Sequence, residues 1–217
     1  MRGSYFFQHV SLSSLLLLVS SALAVAAEQR DPITFENERC MWSITPDATL
    51  RRFADRATGK NYAAAGAPVA RIRRDGREYV ATEARANGPL VDLTFGGSGV
   101  RASLRIRTEP RHFVCTVESV SDKQIEELAL IDLGLTLKGS PDEAFAACAL
   151  ALNLQTNVAE TPRPSARLRA VCYPRFGMPG AAAAIIACPA AELSDVFKEV
   201  VTDAPDLPHS PIGGPWA

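Results

Sequence analysis

The chain has 217 residues, 47% of them hydrophobic and 22% charged, with a formal net charge of -1. That balance excludes a disordered chain, a collagen and a polytopic membrane protein, and it gives no reason to expect a nucleic acid as partner. Aromatic residues make up 7% of the chain, few for a module that grips sugars by itself.

The N-terminus has the order of a secretory signal peptide. Arg2 supplies a positive start, residues 12–19 form a leucine- and serine-rich apolar run, and small residues fill positions 22–27. Ala24-Val25-Ala26 and Val25-Ala26-Ala27 both satisfy the small-residue rule, so cleavage is expected near Ala27. The run is too short and too interrupted by serine to span a bilayer. The expected organisation is a signal peptide over 1–27, a β-sandwich domain over 28–205 and a linker over 206–217. The mature protein would be secreted or periplasmic, with no membrane association after cleavage.

Strand signals dominate the mature part. Cys40–Ile44 and residues 48–53 are short apolar segments on either side of Pro46-Asp47, and residues 57–61 read as a turn. Asp75-Gly76 between two short runs predicts a hairpin. Val91, Leu93 and Phe95 alternate with Asp92 and Thr94. After the Gly96-Gly97-Ser98-Gly99 turn, Val100, Ala102, Leu104 and Ile106 alternate with Arg101, Ser103, Arg105 and Arg107. The pattern predicts a half-buried antiparallel strand with a basic, solvated outer face.

His112–Val120 reads as a central strand, because Phe113, Cys115 and Val117 on one face and Val114, Thr116 and Val120 on the other both require cover. Residues 128–137 are almost continuously apolar. Further strands are expected over 145–154, 167–173 and 181–188, with a proline-rich loop around Pro162 and Pro164 and a turn over 176–180. One helix follows. Pro189 fits its first position, and Leu193, Val196, Phe197, Val200 and Val201 form an amphipathic stripe that ends before Pro205. About ten strands, no βαβ rhythm and one late helix predict an all-β fold, a large antiparallel β-sandwich with one C-terminal amphipathic helix.

The five cysteines, Cys40, Cys115, Cys148, Cys172 and Cys188, form no C-x-x-C pair and lie in apolar stretches. They read first as small buried hydrophobes, with a disulfide open in an oxidising compartment. The mature part has two histidines, His112 and His209, and no G-x-S-x-G, H-E-x-x-H or P-loop pattern. Asp92, Glu118, Glu126, Glu127 and Asp132 are the carboxylates that could serve a glycosidase pair. Asp132 is the unusual one, because it interrupts a buried run: either it has a hydrogen-bonding partner, as a carboxylate in a core strand requires, or it marks the end of one strand and a bulge. Trp42 is expected in the core and Trp216 in the terminal tail. No catalytic, cofactor-binding or metal-ligating residue is assigned, no cofactor is expected, and the ligand-binding residues are unknown.

The stretch Phe35-Glu-Asn-Glu-Arg-Cys-Met-Trp-Ser-Ile44, followed by Leu50-Arg-Arg-Phe-Ala-Asp-Arg-Ala-Thr-Gly-Lys-Asn-Tyr62, carries a D-x-x-T-G-x-x-Y segment at Asp55, Thr58, Gly59 and Tyr62. It resembles the opening of the galactose-mutarotase-like supersandwich domains that precede the catalytic barrel in many secreted glycoside hydrolases. The resemblance, over roughly residues 30–205, implies an accessory domain that binds carbohydrate or shapes the substrate cleft. The catalytic domain would lie beyond this chain and be its intramolecular partner. Stand-alone mutarotases use a histidine and a glutamate of the sandwich. Here His112 and Glu118 come from one strand and match no motif, so neither role is carried over. Two alternatives stay open: a stand-alone secreted binding or structural sandwich, and a mutarotase-like sugar epimerase or lyase.

Overall fold

Alternation of apolar and polar residues becomes thirteen strands in the computed structural model, which describes residues 31–140, 142–158, 167–202, 204 and 206. They are β1 (Ile33–Glu36), β2 (Cys40–Ile44), β3 (Leu50–Asp55), β4 (Arg71–Arg74), β5 (Arg77–Asn87), β6 (Leu90–Phe95), β7 (Val100–Thr108), β8 (His112–Val120), β9 (Glu127–Gly134), β10 (Phe145–Ala151), β11 (Thr156–Val158), β12 (Arg167–Cys172) and β13 (Ala182–Pro189). β1, β2 and β3 make a small sheet. The other ten form one sheet in the order β10-β13-β8-β7-β6-β5-β4-β9-β12-β11. Every pairing between named strands is antiparallel.

β5 turns this sheet into two layers. Its first residues, Arg77 to Val80, pair with β4, and Ala81 to Asn87 pair with β6 across a register shift between Ala81 and Glu83. A bulge bends a strand and sharpens its twist. The same strand therefore closes one half (β4, β9, β12, β11) and opens the other (β6, β7, β8, β13, β10). β10 also comes back against β12, so the sheet curls almost to closure. The observed architecture is the expected antiparallel sandwich.

The core lies between the halves. Leu93, Phe95, Phe113, Leu128, Ile131, Leu133 and Ile185 are fully buried there. Leu104, Cys115 and Leu130 share with Trp42 the lining of a cavity of about 20 Å³. The Asp75-Gly76 hairpin forms as expected, both residues taking positive φ (51° and 70°) as a two-residue antiparallel turn requires.

One helix, α1 (Leu193–Thr202), covers the outer face of β8, β10 and β13. Val196 and Val200 are buried among Val114, Leu150 and Ile186, with Leu193, Phe197 and Val201 partly buried beside them. This is the expected stripe, and it gives β8 its second covered face. The helix start differs from expectation. Pro189 ends β13 with an extended ψ of 135° and precedes a 3-10 turn over Ala190–Glu192, so α1 begins at Leu193. β1 and β11 carry too few alternating residues to stand out in the sequence. The signal segment, the loop around Pro162 and Pro164, His209 and Trp216 lie outside the described residues. Among the described residues no helix is long and apolar enough to cross a membrane.

Candidate functional site

The structure brings three of the five candidate carboxylates together. On the outer face of β4, β9 and β12, Ala170 faces Ile131 while Val171 faces Ala129, which makes Leu130 an extra residue in β9. The bulge reverses the alternation. Glu127 and Asp132, five positions apart, consequently reach partners on one face. Asp132 is 1% exposed. Its Oδ2 accepts from Arg71 Nε at 2.7 Å and its Oδ1 from Arg167 Nε. Glu127 accepts from Arg73 and Arg169. Glu126 pairs with Arg73 at 3.0 Å and receives the Gly76 amide at 2.7 Å. Each carboxylate has a guanidinium on it, an arrangement that holds charge in place and neutralises it.

Asp92 and Glu118 sit apart from this lattice, on the other half. Asp92 accepts from Ser103 Oγ at 2.5 Å and Asn87 Nδ2 at 2.9 Å, and Glu118 accepts from Arg105 Nε at 2.6 Å. Arg101, Arg105 and Arg107 are exposed, the last paired with Glu109, so the basic row is the solvated face that the alternation predicted.

His112 is buried at the start of β8, below a groove lined by Glu38, Glu109, Pro110, Arg111 and Glu199. Arg111 grips Glu199 of α1 through Nε at 2.9 Å and through Nη2. The guanidinium holds the Glu199 carboxyl below the usual carboxylate range. Beside it Arg39 Nε donates to Glu192 at 2.8 Å, so two arginines fasten the helix and the turn before it to the sandwich. Six residues of strand separate His112 from Glu118, about 20 Å. The structure does not bring that pair together. Among the described residues no group of three or more His, Cys, Asp or Glu is placed to hold a metal ion.

All five cysteines are free thiols. Burial pushes Cys40, Cys148 and Cys172 up to about 12 and Cys188 up to about 11, with Cys115 higher still. A nucleophilic role needs the opposite shift.

The D-x-x-T-G-x-x-Y segment is a structural clasp. Asp55 accepts from Thr58 Oγ1 at 2.6 Å and from the Ala57 amide at 2.9 Å. Gly59 takes a φ of 71° and returns its amide to the Asp55 carbonyl. Tyr62 then stacks on Phe145 of β10 with ring centroids 5.1 Å apart. The small sheet is thus fastened to the large one.

One surface was not singled out in the sequence. The turn 153–155 and the connection 173–180 lie side by side at one end of the sandwich. Gln155 Nε2 points at the carbonyls of Phe176, Gly177 and Pro179 at 3.1–3.4 Å, and Asn153 Nδ2 donates to Gly180 O at 2.8 Å. Gly177 has a φ of 83°, and a Cβ there would stand 3.1 Å from Gln155 Nε2, so glycine lets the loop close on the amide. The loop presents Phe176, 52% exposed, and the turn presents Leu154, 71% exposed. Tyr173 and Phe176 meet edge to face at 6.4 Å, and Arg175 lies over both rings, 5.5 and 4.6 Å from their centroids. Two aromatics bracketing Pro174 and Arg175 just before a glycine were the available signal.

No protein-family profile matches the chain, and no curated protein matches it in sequence.

Proposed function

We propose that the chain is the accessory β-sandwich module of an exported carbohydrate-active enzyme of the glycoside hydrolase type, binding carbohydrate or forming one wall of the substrate cleft. The observation that carries this reading is the Asp55–Tyr62 clasp. The residues of the resembling segment act together as the bolt between the small sheet and β10 of an antiparallel sandwich. A rigid two-layer body with its carboxylates neutralised by arginine suits a scaffold beside a reaction centre. The test is the source DNA beyond the codon for Ala217. Continuation into a segment of alternating strand and helix patterning supports the reading, and a stop codon directly after Ala217 overturns it.

A second reading, a stand-alone secreted binding sandwich, is favoured by the exposed Phe176 and Leu154 on braced loops. Both readings make the protein a recognition surface.

A further inference from the structure

We infer that the Tyr173–Arg175–Phe176 knuckle is a binding site for a carboxylate-bearing sugar, a uronic acid residue of an acidic glycan. The inference rests on the carbohydrate-directed reading above and names the ligand class it would serve. Phe176 and Leu154 are two of the three large hydrophobic side chains that stand exposed among the described residues, and they sit on two loops joined through Gln155. Arg175 gives the patch its chemistry. Eleven described arginines, from Arg39 to Arg169, are ion-paired with a carboxylate. Arg175 has no carboxylate partner among the described residues, and unlike the other unpaired arginines it lies on aromatic rings.

A guanidinium held over two rings keeps its planar donor edge for an anion and presents it in a fixed direction. Arg175 covers one face of Phe176, and half of that residue's surface remains open to solvent. The open ring offers an apolar platform for the C–H face of a sugar, and the adjacent guanidinium matches the planar carboxylate of the same ring. The loop is already ordered: Gln155 and Asn153 hold its backbone carbonyls, so little backbone entropy remains to be lost on binding. A neutral sugar would use the platform and leave the guanidinium's donors to water. An acidic one uses both.

The test is a titration of the protein, followed by NMR, with short oligomers of galacturonic acid, uncharged galactose oligomers of the same length and polyglutamate. Phe176→Ala, Arg175→Gln and Arg175→Lys are measured alongside, with melting curves to show that each variant is folded. The uronate should bind, with its affinity falling about tenfold in Arg175→Gln and in Phe176→Ala, and falling less in Arg175→Lys. The neutral oligomer should bind more weakly and be indifferent to Arg175→Gln. Uronate binding unchanged by all three substitutions overturns the site. Equal affinity for the neutral oligomer overturns the ligand class, as does tighter binding of polyglutamate, which would make the patch a contact for acidic protein. No binding of any probe also overturns it. Neutral-sugar binding that survives every substitution overturns this site while leaving the accessory-module reading to the downstream DNA.

Discussion

Arg71 and Asp132 meet across β4 and β9 through a 2.7 Å hydrogen bond from Nε to Oδ2, and the carboxylate is almost wholly removed from water. A carboxylate so placed is tolerable because Arg167 takes its other oxygen. Removing it leaves two guanidinium groups facing each other over a covered strand. Asp132→Ala is therefore expected to cost about 3 kcal/mol, toward the low end for broken buried pairs because both arginines keep partial contact with water. Urea unfolding reads this as a lower midpoint at unchanged slope. A change under about 1 kcal/mol would mean that the lattice is a decoration of the surface.

Acid should weaken the grip on α1. The folded-state pKa of Glu199 is lowered chiefly by its hydrogen bond from Arg111, and that of Glu143 by backbone amides of Lys138, Gly139 and Ser140. Groups whose folded pKa is depressed contribute stability above the unfolded value of 4.5, and that stability is lost as pH falls through the folded value. Arg111→Gln removes the share of Glu199 alone. Melting temperatures of the two proteins should differ at neutral pH and draw together as the pH falls below 4.5 and through the lowered folded-state value. A gap that is constant with pH would show that Arg111 acts by packing.

The thiols should be inert in the folded protein. Each is pushed upward by burial, so at about pH 8 nearly all remain protonated and shielded. Iodoacetamide with mass spectrometry should find no adduct on the native chain and five after denaturation. Rapid labelling of any one cysteine in the native state contradicts this. Alkali should also destabilise the fold, because an unfolded thiol ionises near its ordinary 9.0 while the folded ones hold their protons to about 11 or beyond.

Gln155→Ala should loosen the knuckle without touching the sandwich. The amide spans three carbonyls of a loop in which a Cβ at Gly177 or Gly180 would stand 3.1 or 3.3 Å from it. Hydrogen exchange over 173–180 should accelerate while β8 and β13 keep their protection. Unchanged exchange would show that Asn153 alone holds the loop.

Much of the sandwich was legible in the residues. Val100, Ala102 and Leu104 are buried while Arg101 and Arg105 are exposed, because a strand with one covered face writes that face into every second position. The α1 stripe was legible for the same reason at a different period. Asp132 was harder. Its neighbours are apolar on both sides, and only the extra residue at Leu130 reconciles it with a carboxylate-bearing outer face. A bulge leaves no mark in hydrophobic alternation beyond the break that it causes. The shared strand β5 was not legible either, because which partner each half takes depends on strands far away in the chain. The knuckle was missed because a turn rich in proline and glycine hides which of its side chains will be left uncovered.

The pairing of β4 with β9 also sets an order of events. Fifty-four positions separate Arg73 from Glu127, so β5 through β8 are synthesised before the strand that becomes the second neighbour of β4. Until then β4 offers a row of unpaired backbone groups on a strand whose Ile72 is destined for the core. This strand carries Arg71 and Arg73 on its outer face and Arg74 on the other. Three like charges on four residues disfavour pairing with another copy of the same strand, so Arg71 and Arg73, which clamp the carboxylates in the finished sandwich, also guard the strand while its edge is uncovered.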